Sequence, residues 1–342
     1  MDSNLPSLSL DLPPVTDDAP PPSRLTGSFW RRILAFLVDG VFLWLVGIAL
    51  GTAFFDAFSS MGLWARLVGF AIALFYFGAM NSDIGDGQTI GKRLLSLRVI
   101  DAQGYTLSFG KSIIRYSLLS IPFVLNRLSL NTTEMTGFIS FLVAAPILGV
   151  GASTLYLLIF NRHGRQGLHD LLVGSYVANG DDTGPLNAKP IWKRHWVILS
   201  CLLAALLLEG AFANLLLSRG PFLHFKQDAE AIERMDDVQR ASVVHLTFHD
   251  LAGGGTRKIL LATVTERTKH TDQMAFSSEV AKLILQRDPK AQQYDTLKIV
   301  LKRGYNIGIA SSWRSQSFAY SPDEWNRRVM GTKPASGPTL AK

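Results

Sequence analysis

One carboxylate inside a long apolar run is the first candidate for chemistry in this chain. Asp39 is the only charged residue in the stretch 33–55, which is long enough to cross a bilayer. A charged side chain in a spanning helix costs roughly 2.5 to 3.5 kcal/mol, so it normally has a partner and faces a bundle interior or a wet cavity. Arg32, seven positions earlier, lies about 20° away around a helix of 3.6 residues per turn. We therefore predict that Arg32 and Asp39 pair on one helix stripe.

Glu209 is a second acidic residue within an apolar run. It lies about fourteen residues into the stretch 196–217, roughly 10 Å farther toward the outer face than Asp39. Two acids at staggered depths could form steps of a relay for protons or small cations, although no sequence rule places them on facing helices. The alternatives are a static ion pair at Asp39 that fixes helix packing, and a buried contact of Glu209 with a helix partner or a dimer wall.

Asp170 is the third candidate, and it follows His169 in a basic loop that contains glycine. We predict that this loop lies at the cytoplasmic surface, close to Arg32. A cluster of Arg31, Arg32 and Asp170 would then clamp the start of the first span to the later loop. A gating role for the same cluster is the alternative.

Composition restricts the class of protein. Of all residues, 48% are hydrophobic and 18% are charged, which favours a mixture of membrane-embedded and soluble parts. Cys201 is the only cysteine, so no intrachain disulfide or cysteine zinc site can form. A phosphate-binding loop is excluded because Asp86 and Arg93 replace the first glycine and the hydroxyl residue of that motif. No hydrolase motif occurs, and we expect neither enzymatic activity nor a cofactor.

Five apolar segments are predicted to be embedded in a membrane, and a soluble part follows them. We predict a fold class of an α-helical polytopic membrane bundle plus a C-terminal soluble α+β domain. The membrane segments are 33–55, 63–80, 112–128, 135–160 and 196–217. The predicted domains are a disordered Pro-rich tail (1–23), a membrane domain (24–177), a cytoplasmic linker (178–195), a final transmembrane helix (196–218) and a soluble domain (219–342).

Basic residues predict the orientation of these segments. Lys and Arg cluster before the first segment, between the second and third, and between the fourth and fifth, whereas the loops 56–62 and 129–134 contain none. The positive-inside rule therefore places the N-terminus in the cytoplasm and the soluble domain outside, in the periplasm of a bacterial inner membrane. Segment 112–128 contains Arg115 near its start and is the weakest. If it does not cross, the soluble domain becomes cytoplasmic.

The part from residue 219 onward is basic and soluble in composition. It holds 19 Lys and Arg against 13 Asp and Glu, a net charge of about +6, while the preceding part has about +1. Alternating and helical patterns predict antiparallel strands and helices. The predicted elements are helices at 229–239, 273–286 and from 322, strands at 243–248, 258–264, 297–301 and 307–311, and a turn at 303–306. A short hairpin is also predicted, from strands at 97–100 and 106–109.

Three motifs in order resemble the RDD family of integral membrane proteins, which is named for an arginine and two aspartates. They are Gly27-Ser28-Phe29-Trp30-Arg31-Arg32-Ile33-Leu34-Ala35-Phe36-Leu37-Val38-Asp39, Gly87-Gln88-Thr89-Ile90-Gly91-Lys92-Arg93-Leu94-Leu95, and Arg165-Gln166-Gly167-Leu168-His169-Asp170. The resemblance covers roughly 24–177 and implies that the family arginine is Arg32 and that its aspartates are Asp39 and Asp170. Sodium/proton antiport has been proposed for some members, so the resemblance implies a transport role.

Two functions follow as hypotheses. The first is a transporter or ion-coupled permease subunit in which intramembrane carboxylates carry a small cation or a proton, with a homo-oligomer enclosing the path. The second is a membrane-anchored envelope interaction or assembly factor whose basic C-terminal domain binds lipid, glycan or a protein partner. In both cases we expect contact with membrane lipids and no binding of nucleic acid.

Overall fold

The chain forms a helical N-terminal region and a C-terminal domain that contains a sheet. The computed structural model describes residues 26–125, 137–162, 164–180, 186, 191–219, 223–249 and 255–329, without the side chains of 125, 137–145, 209–219, 223, 224 and 226. The helices are α1 Phe29–Ala53, α2 Phe55–Met61, α3 Ala65–Met80, α4 Ile90–Leu94, α5 Phe109–Leu125, α6 Gly137–Phe160, α7 Leu168–Val173, α8 Lys193–Arg219, α9 Leu223–Glu233, α10 Gln273–Arg287 and α11 Pro322–Val329. The strands are β1 Leu97–Ile100, β2 Tyr176–Asn179, β3 Val238–His249, β4 Thr256–Glu266, β5 Thr296–Asn306 and β6 Ser311–Tyr320.

Two of the predicted spans are confirmed as helices able to cross a membrane. Within the described ranges, Phe29–Ala53 and Phe55–Met80 have the necessary length and hydropathy. The second of these comprises α2, a 3₁₀ turn and α3, so the segment 56–62, predicted as a loop, is mostly helical. The segments 112–128, 135–160 and 196–217 correspond to α5, α6 and α8. That these three also lie in the membrane stays a prediction.

The helical region is tied together by a two-stranded sheet. β1 pairs antiparallel with β2, from Leu97 opposite Asn179 to Ile100 opposite Tyr176. The predicted hairpin of 97–100 with 106–109 is therefore wrong. A tight turn does follow β1, but Leu107 then leaves it and forms a bridge with Ser82. Because β1 follows α4 and β2 follows α7, the sheet links two parts of the helical region that are distant along the chain.

The C-terminal domain is a four-stranded sheet in the order β3-β4-β5-β6, with α10 packed on its core. β3 pairs antiparallel with β4, as predicted, and β5 pairs antiparallel with β6. β4 and β5 are parallel, which corrects the purely antiparallel prediction, because α10 carries the chain back across the sheet. The helix predicted at 229–239 ends earlier: α9 stops at Glu233 and β3 begins at Val238.

The β5–β6 hairpin is longer than its sequence pattern predicts. The predicted turn at 303–306 lies within β5, and pairing continues to Asn306 opposite Ser311. The actual turn is 307–310, where Gly308 has a φ of 90° that favours glycine. The Gly308 amide donates to the Asn306 side chain at 2.9 Å, and the Ile307 amide donates to the Ala310 carbonyl at 3.0 Å. The turn thus satisfies these polar groups internally.

Candidate functional site

Asp39 is buried and accepts hydrogen bonds from three donors. Its Oδ1 accepts from the Tyr76 hydroxyl and from the Gly91 amide, each at 2.8 Å. Its Oδ2 accepts from the Thr89 hydroxyl at 2.6 Å. Tyr76 lies on α3, and Thr89 caps the N-terminus of α4, so this carboxylate joins α1 to both helices. These donors compensate a negative side chain that is only 1% exposed and that forms no ion pair with the described residues.

The helix α4 lies unusually close to α1 at this point. A Cβ atom on Gly91 would overlap the backbone carbonyl of Ala35, so only glycine allows the approach. The Thr89 hydroxyl also accepts from the Lys92 amide at 3.2 Å, which fixes the first turn of α4. Two of the three donors to Asp39, Thr89 and Gly91, therefore come from the second sequence motif.

The structure contradicts the predicted pair of Arg32 and Asp39. The Arg32 guanidinium donates instead to the backbone carbonyls of Gly27 at 3.1 Å, Val177 at 2.7 Å and Arg165. Side chains on a helix lean toward its N-terminus, so Arg32 extends away from Asp39, which lies two turns nearer the C-terminus. Arg32 joins the entry of α1 to β2 and to the loop before α7.

Asp170 forms an ion pair with an arginine of α5. Its Oδ1 accepts from Arg115 Nε at 2.8 Å and from the Ser175 hydroxyl at 2.8 Å, and Oδ2 accepts from the Gly167 amide at 3.2 Å. His169 Nε2 lies 3.4 Å from Oδ2. Burial alone would raise the pKa of the Asp170 carboxyl, but the neighbouring charges, chiefly Arg115, hold it well below its usual range.

The predicted cluster of two arginines and Asp170 is divided between two places. Arg31 donates to the Asn179 side chain at 3.1 Å and to the Ser96 carbonyl at 3.2 Å, and thereby braces β1 and β2. Arg32 lines the same cavity as Asp170 and acts on it through its charge. The clamp between the first helix and the later loop is therefore formed by Arg32 with backbone carbonyls.

A cavity of about 250 Å³ lies next to the ion pair of Arg115 and Asp170. Its polar wall contains Arg32, Lys92, Arg115, Thr154, His169 and Asp170, and its apolar wall includes Ile33, Phe36, Phe77, Leu119, Pro122, Phe123, Leu155, Leu158 and Val177. Helices α1, α3, α5 and α6 supply the apolar wall together with β2. The cavity is amphipathic, and Asp39 does not line it.

Two titratable groups of this cavity have strongly lowered pKa values. Burial, and then the charge of Arg115, lower the pKa of Lys92 to about 7. Burial lowers the pKa of His169 to about 4, against the opposing effect of Asp170. The Lys92 ammonium donates to the Asn81 side chain at 2.7 Å. At neutral pH, His169 is therefore uncharged and Lys92 is close to its midpoint.

A second feature is a groove between α1 and α3 that holds the tip of the β5–β6 hairpin. On α1, a Cβ atom on Gly47 would lie 2.6 Å from Ala310 Cβ, and one on Gly51 would overlap the Tyr305 ring. On α3, a Cβ atom on Gly69 would overlap the Ile307 carbonyl oxygen. Small residues therefore create the space that the hairpin fills, and the turn packs against both helices.

The hairpin tip contacts α1 about two turns before the C-terminal end of the helix. Gly47 is six residues before Ala53, which corresponds to about 9 Å along a helix. At the rim of the groove, Arg303 donates to Asp56 at 2.8 Å, and the Arg314 guanidinium lies 4.6 Å from the centre of the Phe55 ring. The C-terminal domain is thus docked on α1, α2 and α3 by apolar contacts at the tip and by charged contacts at the rim.

Sequence reasoning missed several residues of these sites. Tyr76, Thr89 and Gly91 were not identified as partners of Asp39, and Arg115 was considered only as a charge that weakens a span. The capping signal at Thr89, followed by Gly91, was available in the sequence. The predicted site residue Glu209 belongs to α8, but its side chain lies outside the described part of the structure.

Residues 26–174 match the model of the RDD family, which confirms the resemblance that the three motifs predicted. The match ends before β2 and does not include the C-terminal domain. No curated protein and no solved structure matches the chain. The family match and the two membrane-capable helices together indicate a membrane protein.

Proposed function

Because residues 26–174 form an RDD-family region, we propose that the protein is a membrane-anchored envelope factor whose helices fix the position of an extracytoplasmic domain. The observation that carries this proposal is the hairpin turn seated between α1 and α3 at Gly47 and Gly69. A hairpin inserted into the bundle holds the domain more firmly than a flexible linker would. The basic domain then presents its charge to an anionic partner in the envelope.

The contacts of α5 support a bundle of five membrane spans. At one end, the Ser112 hydroxyl donates to the Phe77 carbonyl at 3.2 Å, and at the other end Arg66 donates to the Phe123 carbonyl at 3.2 Å. Helix α5 therefore runs alongside α3 over nearly its whole length, in the opposite direction. A helix that accompanies a membrane-capable helix in this way crosses the same layer.

The position of the hairpin supports an external C-terminal domain. The tip contacts α1 near its C-terminal end and α3 near its N-terminal end, so the domain lies on the side where the first span emerges. Basic residues favour a cytoplasmic N-terminus, and with that orientation this side would be outside the cytoplasm. For a bacterial inner membrane this side is the periplasm.

The contacts of Asp39 favour an anchoring role over cation transport. A carboxylate that carries a proton or a cation needs an approach path and free lone pairs, whereas Asp39 is 1% exposed and accepts three hydrogen bonds. The second candidate function is transport, and the amphipathic cavity beside Arg115 and Asp170 favours it. In that case the positively charged wall favours an anion over a cation.

Flux measurements on the full chain separate the two functions. The protein is reconstituted in liposomes that contain a pH-sensitive dye, and a sodium gradient is imposed. For an anchoring factor, we expect the same proton flux from the wild type, from Asp39→Asn and from protein-free liposomes. Asp83→Asn, which changes an exposed aspartate, is the matched control. Sodium-dependent flux that Asp39→Asn abolishes and Asp83→Asn preserves, with both variants folded, would contradict the proposal.

The remaining assignments are part of the same proposal. We propose a protein without catalytic activity, without a cofactor and without a nucleic-acid partner, in contact with membrane lipids. The small residues of α1 and α3 pack against the hairpin of the same chain. They are therefore not available to a second copy, which favours a monomer. A deletion that removes the chain from residue 221 onward is expected to abolish partner binding and to leave the helical region inserted.

A further inference from the structure

The cavity between α1, α5, α6 and α7 carries an excess of positive charge. Arg32, Lys92 and Arg115 line it, and Asp170 is the only acidic side chain among its described lining residues. Asp170 is already paired with Arg115 at 2.8 Å. With Lys92 protonated, the formal charge of these four side chains is +2, and Asp39, which acts on Lys92 from outside the cavity, reduces the net charge to +1. Such a charge at the edge of a low-dielectric region is costly unless an anion compensates it.

Several polar atoms in the cavity wall have no partner within the described part of the chain. Thr154 Oγ1 and His169 Nδ1 are buried and make no hydrogen bond there, and both side chains are more than nine-tenths buried. Toward the described residues, Arg115 donates from its Nε alone, to Asp170 and Ser175, so its two terminal amino groups are available there. Unsatisfied buried polar groups are rare in native proteins. The Thr154 hydroxyl and the Arg115 amino groups can donate to an oxyanion, whereas the uncharged His169 ring, with Nε2 facing Asp170, offers Nδ1 as an acceptor.

The apolar wall of the same cavity opens toward the outside of the bundle. Phe36, Phe123 and Leu155 line the cavity and are 39%, 58% and 54% exposed. They lie on three different helices, α1, α5 and α6. In a membrane, exposed side chains at this position contact acyl chains, so the cavity is reached from the lipid side.

The volume of the cavity agrees with a headgroup and the first part of a chain. About 250 Å³ is slightly below the roughly 300 Å³ at which pockets for whole small molecules begin. The polar wall lies at the end of the helices where the basic loops cluster, which is the level of the headgroups. A ligand with an anionic head and an apolar tail would therefore match both walls at once.

We propose that this cavity binds the anionic headgroup of a membrane amphiphile, with its acyl chain lying against the exposed faces of Phe36, Phe123 and Leu155. Arg115 and Lys92 compensate the charge of the headgroup, and the Thr154 hydroxyl donates a further hydrogen bond. The headgroup is either a phosphate monoester or a carboxylate, since both present the same anionic oxygens. The site is independent of the docking of the C-terminal domain.

Ligand-dependent thermal unfolding of the full-length protein in neutral detergent tests this site. The probes are dioleoyl phosphatidic acid, oleate, dioleoyl phosphatidylcholine and inorganic phosphate. We expect phosphatidic acid or oleate, or both, to raise the unfolding temperature in a saturable manner, because a ligand that binds only the folded state stabilises it. Phosphatidylcholine, which has the same chains, and inorganic phosphate, which has no chain, should have little effect.

Three variants assign the binding to the cavity. Lys92→Met keeps the length of the side chain and removes its charge, and we expect it to weaken amphiphile binding about tenfold. Thr154→Val removes a hydroxyl that has no partner among the described residues, so it should weaken binding without lowering the stability of the ligand-free protein. Lys111→Met, at an exposed lysine on α5, is the matched control and should bind normally.

Each of the following results would overturn the proposal. Equal stabilisation by phosphatidylcholine would show that the protein does not recognise the charge of the headgroup. Equal stabilisation by inorganic phosphate would show that the acyl chain makes no contribution to binding. Unchanged binding by both Lys92→Met and Thr154→Val would place the amphiphile elsewhere on the protein. If Lys92→Met does not fold, Thr154→Val alone decides.

Discussion

Replacement of Asp39 by asparagine and by alanine should have very different effects. Asparagine keeps one oxygen that accepts from Tyr76 and Gly91, and its amide can donate to the Thr89 hydroxyl. Alanine removes all three interactions and leaves buried donors without a partner. A hydrogen bond to a charged group contributes about 1.5 to 3 kcal/mol. We therefore expect Asp39→Ala to lower the free energy of unfolding by about 3 to 5 kcal/mol, and Asp39→Asn by about 1 to 2 kcal/mol.

The assay is thermal unfolding of the purified variants in one detergent, followed by the loss of the monodisperse peak in size-exclusion chromatography. Asp83→Ala, at an exposed position on the same side of the bundle, is the control and should unfold at the same temperature as the wild type. Equal and large losses for Asp39→Asn and Asp39→Ala would refute the reasoning, since they would show that the charge matters and the hydrogen bonds do not. A stable Asp39→Ala would refute it as well.

Two further predictions use the same unfolding assay. Gly91→Ala should destabilise the protein by about 1 to 3 kcal/mol, because its Cβ would overlap the backbone of α1. Gly40→Ala, with open space at its Cβ, should be neutral or stabilising by up to about 1 kcal/mol. A Gly40→Ala variant less stable than Gly91→Ala would contradict the close packing of α4 on α1. The pKa of His169 is lowered to about 4, so the unfolded chain binds a proton that the folded one does not. Stability should therefore fall as the pH decreases from about 6.5 to 4. His169→Gln should flatten this dependence, and an unchanged slope would show that His169 does not titrate in this way.

The elements that the sequence predicted well are those with a long or regular hydrophobic pattern. The runs at 33–55 and 196–217 are largely helical, and the described part of the run at 135–160 is helix α6. Asp272 and Ser321 cap the helices that follow them. These features depend on residues close together in the chain. Element boundaries within the C-terminal domain were less accurate, because the strands of the β5–β6 hairpin continue to where the turn meets the helices.

The partners of the charged residues were not predictable by the same reasoning. The predicted pair of Arg32 and Asp39 depends on one helix alone, whereas the donors to Asp39 come from α3, from the cap of α4 and from its first turn, 37 to 52 residues away along the chain. The small residues of α1 and α3 allow another element to approach these helices closely. A hairpin from a separate domain, about 250 residues later, fills that space, and no local pattern encodes this contact.

The docking of the hairpin is the central claim, and the accessibility of Ile307 tests it most directly. Ile307 is fully buried in the groove, so a cysteine there, in a Cys201→Ser background, should react slowly with a membrane-impermeant maleimide. Thr256→Cys, at an exposed position of the same domain, should react rapidly. Gly69→Leu, which fills the groove, should expose the cysteine at position 307. Equally rapid labelling at positions 307 and 256 in otherwise unchanged protein would contradict the docked arrangement.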